Sequence, residues 1–109
     1  QDDLSYICEK VTGLRVFDDE NEIPNRSVTD IGGSVLLVSQ FTLCGDCKRG
    51  RRPSWTNAAE PTEANRMYEK FVGEIESRGV VAATGVFQAL MKVEICNDGP
   101  VTLMIDSRE

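Results

Sequence analysis

No histidine occurs among the 109 residues of this chain. That single absence excludes Ser-His-Asp and Cys-His nucleophilic machinery and every metal site that needs an imidazole ligand. It also removes the usual proton carrier near neutral pH. An enzyme built on this chain must therefore work through backbone groups, hydroxyls, carboxylates or its own substrate. Other absences narrow the field further. No apolar run approaches the ~20 residues of a membrane span, and the acidic start is unlike a signal peptide, so the cytoplasm is the expected compartment. There is no G-x-G-x-x-G, no P-loop and no paired Cys motif of a zinc ribbon. Internal repeats and low-complexity segments are missing as well. The chain opens on Gln1 rather than Met, which fits a piece of a longer protein.

What is present suits one soluble domain spanning 1–109. Hydrophobic residues make up 40% and charged residues 28%, an ordinary globular balance. A chain of this size buries enough surface to fold without disulfides or metal. Of the four cysteines, Cys8 and Cys96 sit in apolar patterns and read as core thiols, whereas Cys44 and Cys47 form a Cys-x-x-Cys. One such pair is half a metal site, and the helix-opening context of a redox motif is missing, so surface thiols in a loop are the favoured reading. The net charge is -6, yet Lys48, Arg49, Arg51 and Arg52 alone supply +4, leaving -6 - 4 = -10 for the rest. A dense basic cluster on an acidic body fits either one local contact with a polyanion or a solvated loop.

Leu4, Ile7, Cys8 and Val11 follow the i, i+3, i+4, i+7 spacing of an amphipathic helix, with Asp2 or Asp3 at its start and Gly13 at its end. LRVF, 14–17, reads as a short strand, and 18–25 as a loop or hairpin tip. Gly32-Gly33 marks a turn. SVLLVSQFTL, 34–43, reads as a buried strand, and 44–60 as a long loop. Pro61 opens the clearest helix, with Ala64, Met67, Tyr68, Phe71, Val72 and Ile75 on one stripe and Gly79 as its stop. Three strands are expected after it, at 80–84, 86–96 and 101–106, with a tight turn at 97–100. This order indicates an α/β (α+β-like) domain of mixed and antiparallel sheets carrying two helices.

Two short motifs could carry chemistry. In SQFTL, Ser39 and Thr42 bring hydroxyls and Gln40 an amide, and unpaired N–H groups at a strand end can form an oxyanion hole. An ordinary strand end whose Ser and Thr satisfy turn hydrogen bonds explains the same residues. In NDGPVT, Gly99 permits close backbone approach, and Pro100 cannot donate a hydrogen bond and can adopt a cis peptide. A Gly-Pro pair so placed presents bare carbonyls able to accept from an ammonium group. A plain turn is the alternative.

Taken together, SQFTL, RGRRPSW, the helix after Pro61, TGVFQALM and NDGPVT resemble the D-aminoacyl-tRNA deacylases over essentially the whole chain. SQFTL and the Gly-Pro turn are that family's two signatures. The resemblance implies hydrolysis of the ester joining a D-amino acid to the terminal adenosine of tRNA, and of some mischarged glycyl-tRNA. It implies a cytoplasmic homodimer with neither cofactor nor metal, and with tRNA rather than DNA or a membrane as partner. By resemblance, Gly99 and Pro100 form a chiral gate, cis and reaching into the partner subunit. Ser39, Gln40, Phe41 and Thr42 line the opposite wall, with an N–H of Phe41 or Thr42 facing the oxyanion. Phe87 and Ala89 shape the adenosine pocket, and Lys48, Arg49, Arg51 and Arg52 meet acceptor-end phosphates. Since nothing activates Thr42 as a nucleophile, water assisted by the ribose 2′-hydroxyl is the economical attack. A non-catalytic tRNA-binding module of the same fold is the rival. The chain departs from the pattern in starting at the first helix, without the family's N-terminal strands and an arginine near the Gly-Pro turn. N-terminal truncation, with an open sheet edge and reduced activity, is the expectation.

Overall fold

The structure, a computed structural model, describes residues 2–99 and 101–108. Helix α1 runs Asp2–Gly13 and helix α2 runs Pro61–Ser77. Both follow the apolar spacing of the sequence. Asp2 and Asp3 lie in the first turn of α1, where carboxylates complement the exposed N–H groups. Pro61 occupies the first turn of α2, and the Glu60 side chain accepts a hydrogen bond from the Thr62 N–H at 3.3 Å. Beyond α2, Gly79 adopts φ +83° and the chain reverses into the next strand. A methyl group at Gly79 would touch nothing within 4 Å. The cost of Gly79→Ala is therefore the left-handed backbone alone. We expect about 1–2 kcal/mol of lost stability, read as a lower denaturation midpoint.

Strand β3, Ser34–Leu37, pairs in parallel with β4, Val81–Thr84, and α2 lies in the connection between them. A smaller antiparallel hairpin joins β1, Phe17–Asp18, to β2, Pro24–Arg26. Asp19 holds its tip by accepting from the N–H groups of Ile23 (3.1 Å) and Asn21 (2.8 Å). Those two bonds keep its carboxyl below the ordinary aspartate range. The core forms where α1, α2, β3 and Val80 meet. Leu4, Cys8, Val28, Leu37, Ile75 and Val80 are buried, and Met67, Tyr68, Phe71 and Val72 pack against them. Burial pushes the Cys8 thiol above its ordinary pKa, as expected of an inert core thiol.

Several expectations are corrected. The strand anticipated at 14–17 is confined to Phe17–Asp18. The strand anticipated at 34–43 ends at Leu37, and only that last residue of it is buried. Two donors saturate the Leu37 carbonyl there: the Tyr68 hydroxyl at 2.6 Å and the Gly85 N–H at 3.2 Å. Since β4 stops at Thr84, the residues after Leu37 have no ladder to join. The chain turns instead into a 3-10 helix at Phe41–Cys44. Residues 86–96 and 101–106 form no strand. Most of their apolar side chains, among them Val93, Ile95, Leu103 and Met104, are exposed. A strand requires a hydrogen-bonding neighbour, and these segments have none among the described residues. Cys96 is consequently exposed rather than a core thiol, while Cys44 and Cys47 are exposed as anticipated. Among the described residues no helix is long and apolar enough to cross a membrane.

Candidate active site

A cleft of about 650 Å³ opens between the end of β3 and the start of α2. Ser39, Gln40, Phe41 and Thr42 form one wall. Phe87, Gln88 and Ala89 form another, and Ala58, Ala59 and Glu60 close the side at the mouth of α2. Six of the anticipated site residues therefore meet in one cavity, although they lie up to fifty positions apart in the chain.

Local structure explains each wall. Gln40 is extended (φ -146°, ψ 95°) and leads into the 3-10 turn, which closes with Gly45 N–H donating to the Thr42 carbonyl at 3.0 Å. The first N–H groups of such a turn have no acceptor within it. Among the described residues, neither the Phe41 nor the Thr42 N–H donates to an acceptor outside the turn. The facing wall is a β-turn in which the Ala89 N–H donates to the Val86 carbonyl at 3.1 Å. Gln88 takes φ 63° in that turn, a conformation more usual for glycine. A strained backbone of this kind recurs at functional sites. Phe87 is steadied by Tyr68 of α2, whose ring lies 6.2 Å away, centroid to centroid.

Among the described residues, Glu60 is the single ionisable one lining the cleft, and one oxygen of its carboxylate caps α2. The cavity thus offers main-chain donors, two hydroxyls, two amides and aromatic faces.

The basic cluster occupies a separate hairpin beside the cleft. Asp46 and Ser54 exchange N–H···O bonds of 2.6 and 3.0 Å, and Gly50 at φ 62° turns the tip. Lys48, Arg49, Arg51 and Arg52 project from it, all exposed. Ser54, at the base of the hairpin, is followed directly by Trp55, which lines the cleft. Gly99 is not part of this lining, and a methyl group there would meet only the Asn97 side chain, at 3.6 Å. Pro100 lies outside the described residues.

Sequence reasoning assigned no role to Trp55, to the Ala58-Ala59 pair or to Gln88. The small pair directly before a helix-opening proline is a legible hint of space. Nothing in a lone glutamine announces a left-handed turn.

Comparison with known proteins places these features in context. Residues 1–106 match the family described as D-Tyr-tRNA(Tyr) deacylase. The D-aminoacyl-tRNA deacylase of Heliobacterium modesticaldum is 58% identical over 106 residues, covering 97% of this chain and 71% of the relative. That of Thermus aquaticus is 55% identical over 109 residues, covering 100% and 72%. A solved structure of a c-Myc DNA unwinding element binding protein superposes with a TM-score of 0.88 at 35% identity, covering 98% of this chain and 73% of that one.

Proposed function

Because the chain belongs to the D-Tyr-tRNA(Tyr) deacylase family, we propose that it hydrolyses the ester bond of D-aminoacyl-tRNA, releasing free tRNA and the D-amino acid. The supporting observation is the cleft itself. Phe41 and Thr42 stand in one cavity with Phe87 and Ala89, and the lining offers no histidine. Ester hydrolysis needs a donor set for the oxyanion, and pre-aligned N–H groups supply it without reorganisation. The attacking water loses its proton with help from the ribose 2′-hydroxyl of the terminal adenosine. Phe87 offers a face for the adenine, and the small Ala89 leaves room for it.

Selection by handedness falls to Gly99 and Pro100, whose carbonyls hold the α-ammonium group. An L side chain then points into backbone and a D side chain points away. Sterics of this type need no recognition of the side chain, so one site serves many D-amino acids and tolerates glycine. In this reading the gate is completed between two subunits, each offering its Gly-Pro turn to the other's cleft, in the cytoplasm.

The basic hairpin holds the acceptor-end phosphates. Replacing Arg51 and Arg52 by glutamate should weaken binding of all tRNAs alike, whatever amino acid they carry. The log–log salt dependence of affinity should become shallower by about 1.5, the loss of two phosphate contacts. An unchanged salt slope would remove the hairpin from the interface. The proposal as a whole is tested by incubating the protein with D-tyrosyl-tRNA and measuring free tyrosine. Release above the uncatalysed rate supports it. Binding of tRNA with no release would leave a binding module of the same fold.

A further inference from the structure

Trp55 is the one tryptophan of the chain, and its ring nitrogen is committed. The indole Nε1–H donates to the Thr42 carbonyl at 3.3 Å. The same carbonyl accepts from the Gly45 N–H at 3.0 Å, so both of its lone pairs are occupied. The ring also meets Phe41 edge-on, with centroids 5.7 Å apart. Gly45 is what lets the indole in. A methyl group at that position would stand 3.0 Å from both the Thr42 oxygen and the Trp55 Nε1. Two observations, the saturated carbonyl and the close approach at Gly45, thus converge on one atom.

We infer that Trp55 is a positioning residue for the proposed hydrolysis, acting through the Thr42 carbonyl to fix the turn that carries the Phe41 and Thr42 N–H groups. Peptide groups are rigid planes, and in a helical turn carbonyls and N–H groups face opposite ways along the axis. Anchoring the Thr42 oxygen to Trp55 therefore limits rotation of the peptide after Thr42 and, through it, of the short turn that carries the preceding N–H groups. An anchor on a four-residue turn with exposed side chains matters because little else restrains it. A donor set for a developing charge is effective only when its orientation is set beforehand. Phenylalanine could keep an aromatic contact with Phe41, but it could not supply the anchor.

The inference rests on the hydrolytic reading, and its test separates the two. Trp55→Phe keeps an aromatic ring and removes the donor. We expect kcat on D-tyrosyl-tRNA to fall about fivefold, the value of one neutral hydrogen bond, with KM changed less than twofold. Should Trp55→Phe misfold, as seen by circular dichroism, 3-benzothienylalanine at position 55 replaces the N–H by sulfur within the same outline. The same kcat loss is expected of it. An unchanged kcat, or a loss confined to KM, overturns the positioning role while leaving the hydrolase intact. The free protein offers an independent reading, since a single indole gives a single Nε1–H resonance. It should be slowed in solvent exchange and become fast in Gly45→Ala. A freely exchanging indole overturns the inference. A slowed indole in a wild-type protein that releases no amino acid would instead defeat the hydrolytic reading, and with it any positioning role in that reaction.

Discussion

Phe41→Pro is expected to lower kcat for D-aminoacyl-tRNA about 10²–10³-fold below Phe41→Ala, the effect of deleting one oxyanion donor. The comparison isolates the N–H, because both variants lose the ring and only proline loses the donor. The site can accept the imino acid. Phe41 is the first residue of the 3-10 turn, where its N–H bonds to nothing within the turn. Gln40 before it is extended, at φ -146° and ψ 95°, and so lies outside the α region that a following proline disfavours. The substitution should therefore leave the fold in place, with unchanged circular dichroism and tRNA affinity. Equal turnover by the two variants would show that the Phe41 N–H does not serve the reaction.

The second large effect concerns stability. Ile75 is 0% exposed on α2 and is one of six buried hydrophobic residues among the described ones. Ile75→Ala removes three buried carbons and leaves a cavity that the two helices and β3 cannot easily close. A loss of about 3–4 kcal/mol is expected. Domains of this kind are stable by about 5–15 kcal/mol in all, so denaturation should begin in much milder urea. Substituting Ile31, an exposed residue of similar size, by alanine supplies the control and should shift the midpoint little. A midpoint for Ile75→Ala close to wild type would contradict the assigned core.

Elements ruled by local pattern were legible in the sequence. Both helices carry their own apolar stripe, acidic or proline start and glycine stop, so their positions follow from residues close together in the chain. Cys8 was readable as a core thiol for the same reason. Strands were less legible because a ladder is a property of two segments. Ser34–Leu37 pairs only as far as Thr84 allows, and the apolar residues after Gly85 look like strands yet lack neighbours. Cys96 was misread with them, since an alternating pattern says which side chains could be buried and not what would cover them. The cleft was legible in its ingredients. SQFT with Phe87 and Ala89 came from motif resemblance, and the fold brings them together. The Trp55 anchor was not legible, because it depends on a 3-10 turn where the sequence suggests a strand.

Handedness is the central claim, and the ratio of kcat/KM for the D and L forms of one amino acid on one tRNA measures it most directly. The account predicts a preference for the D form of about 10³ or more, some 4 kcal/mol of discrimination. Brisk hydrolysis of both forms at similar rates would contradict it.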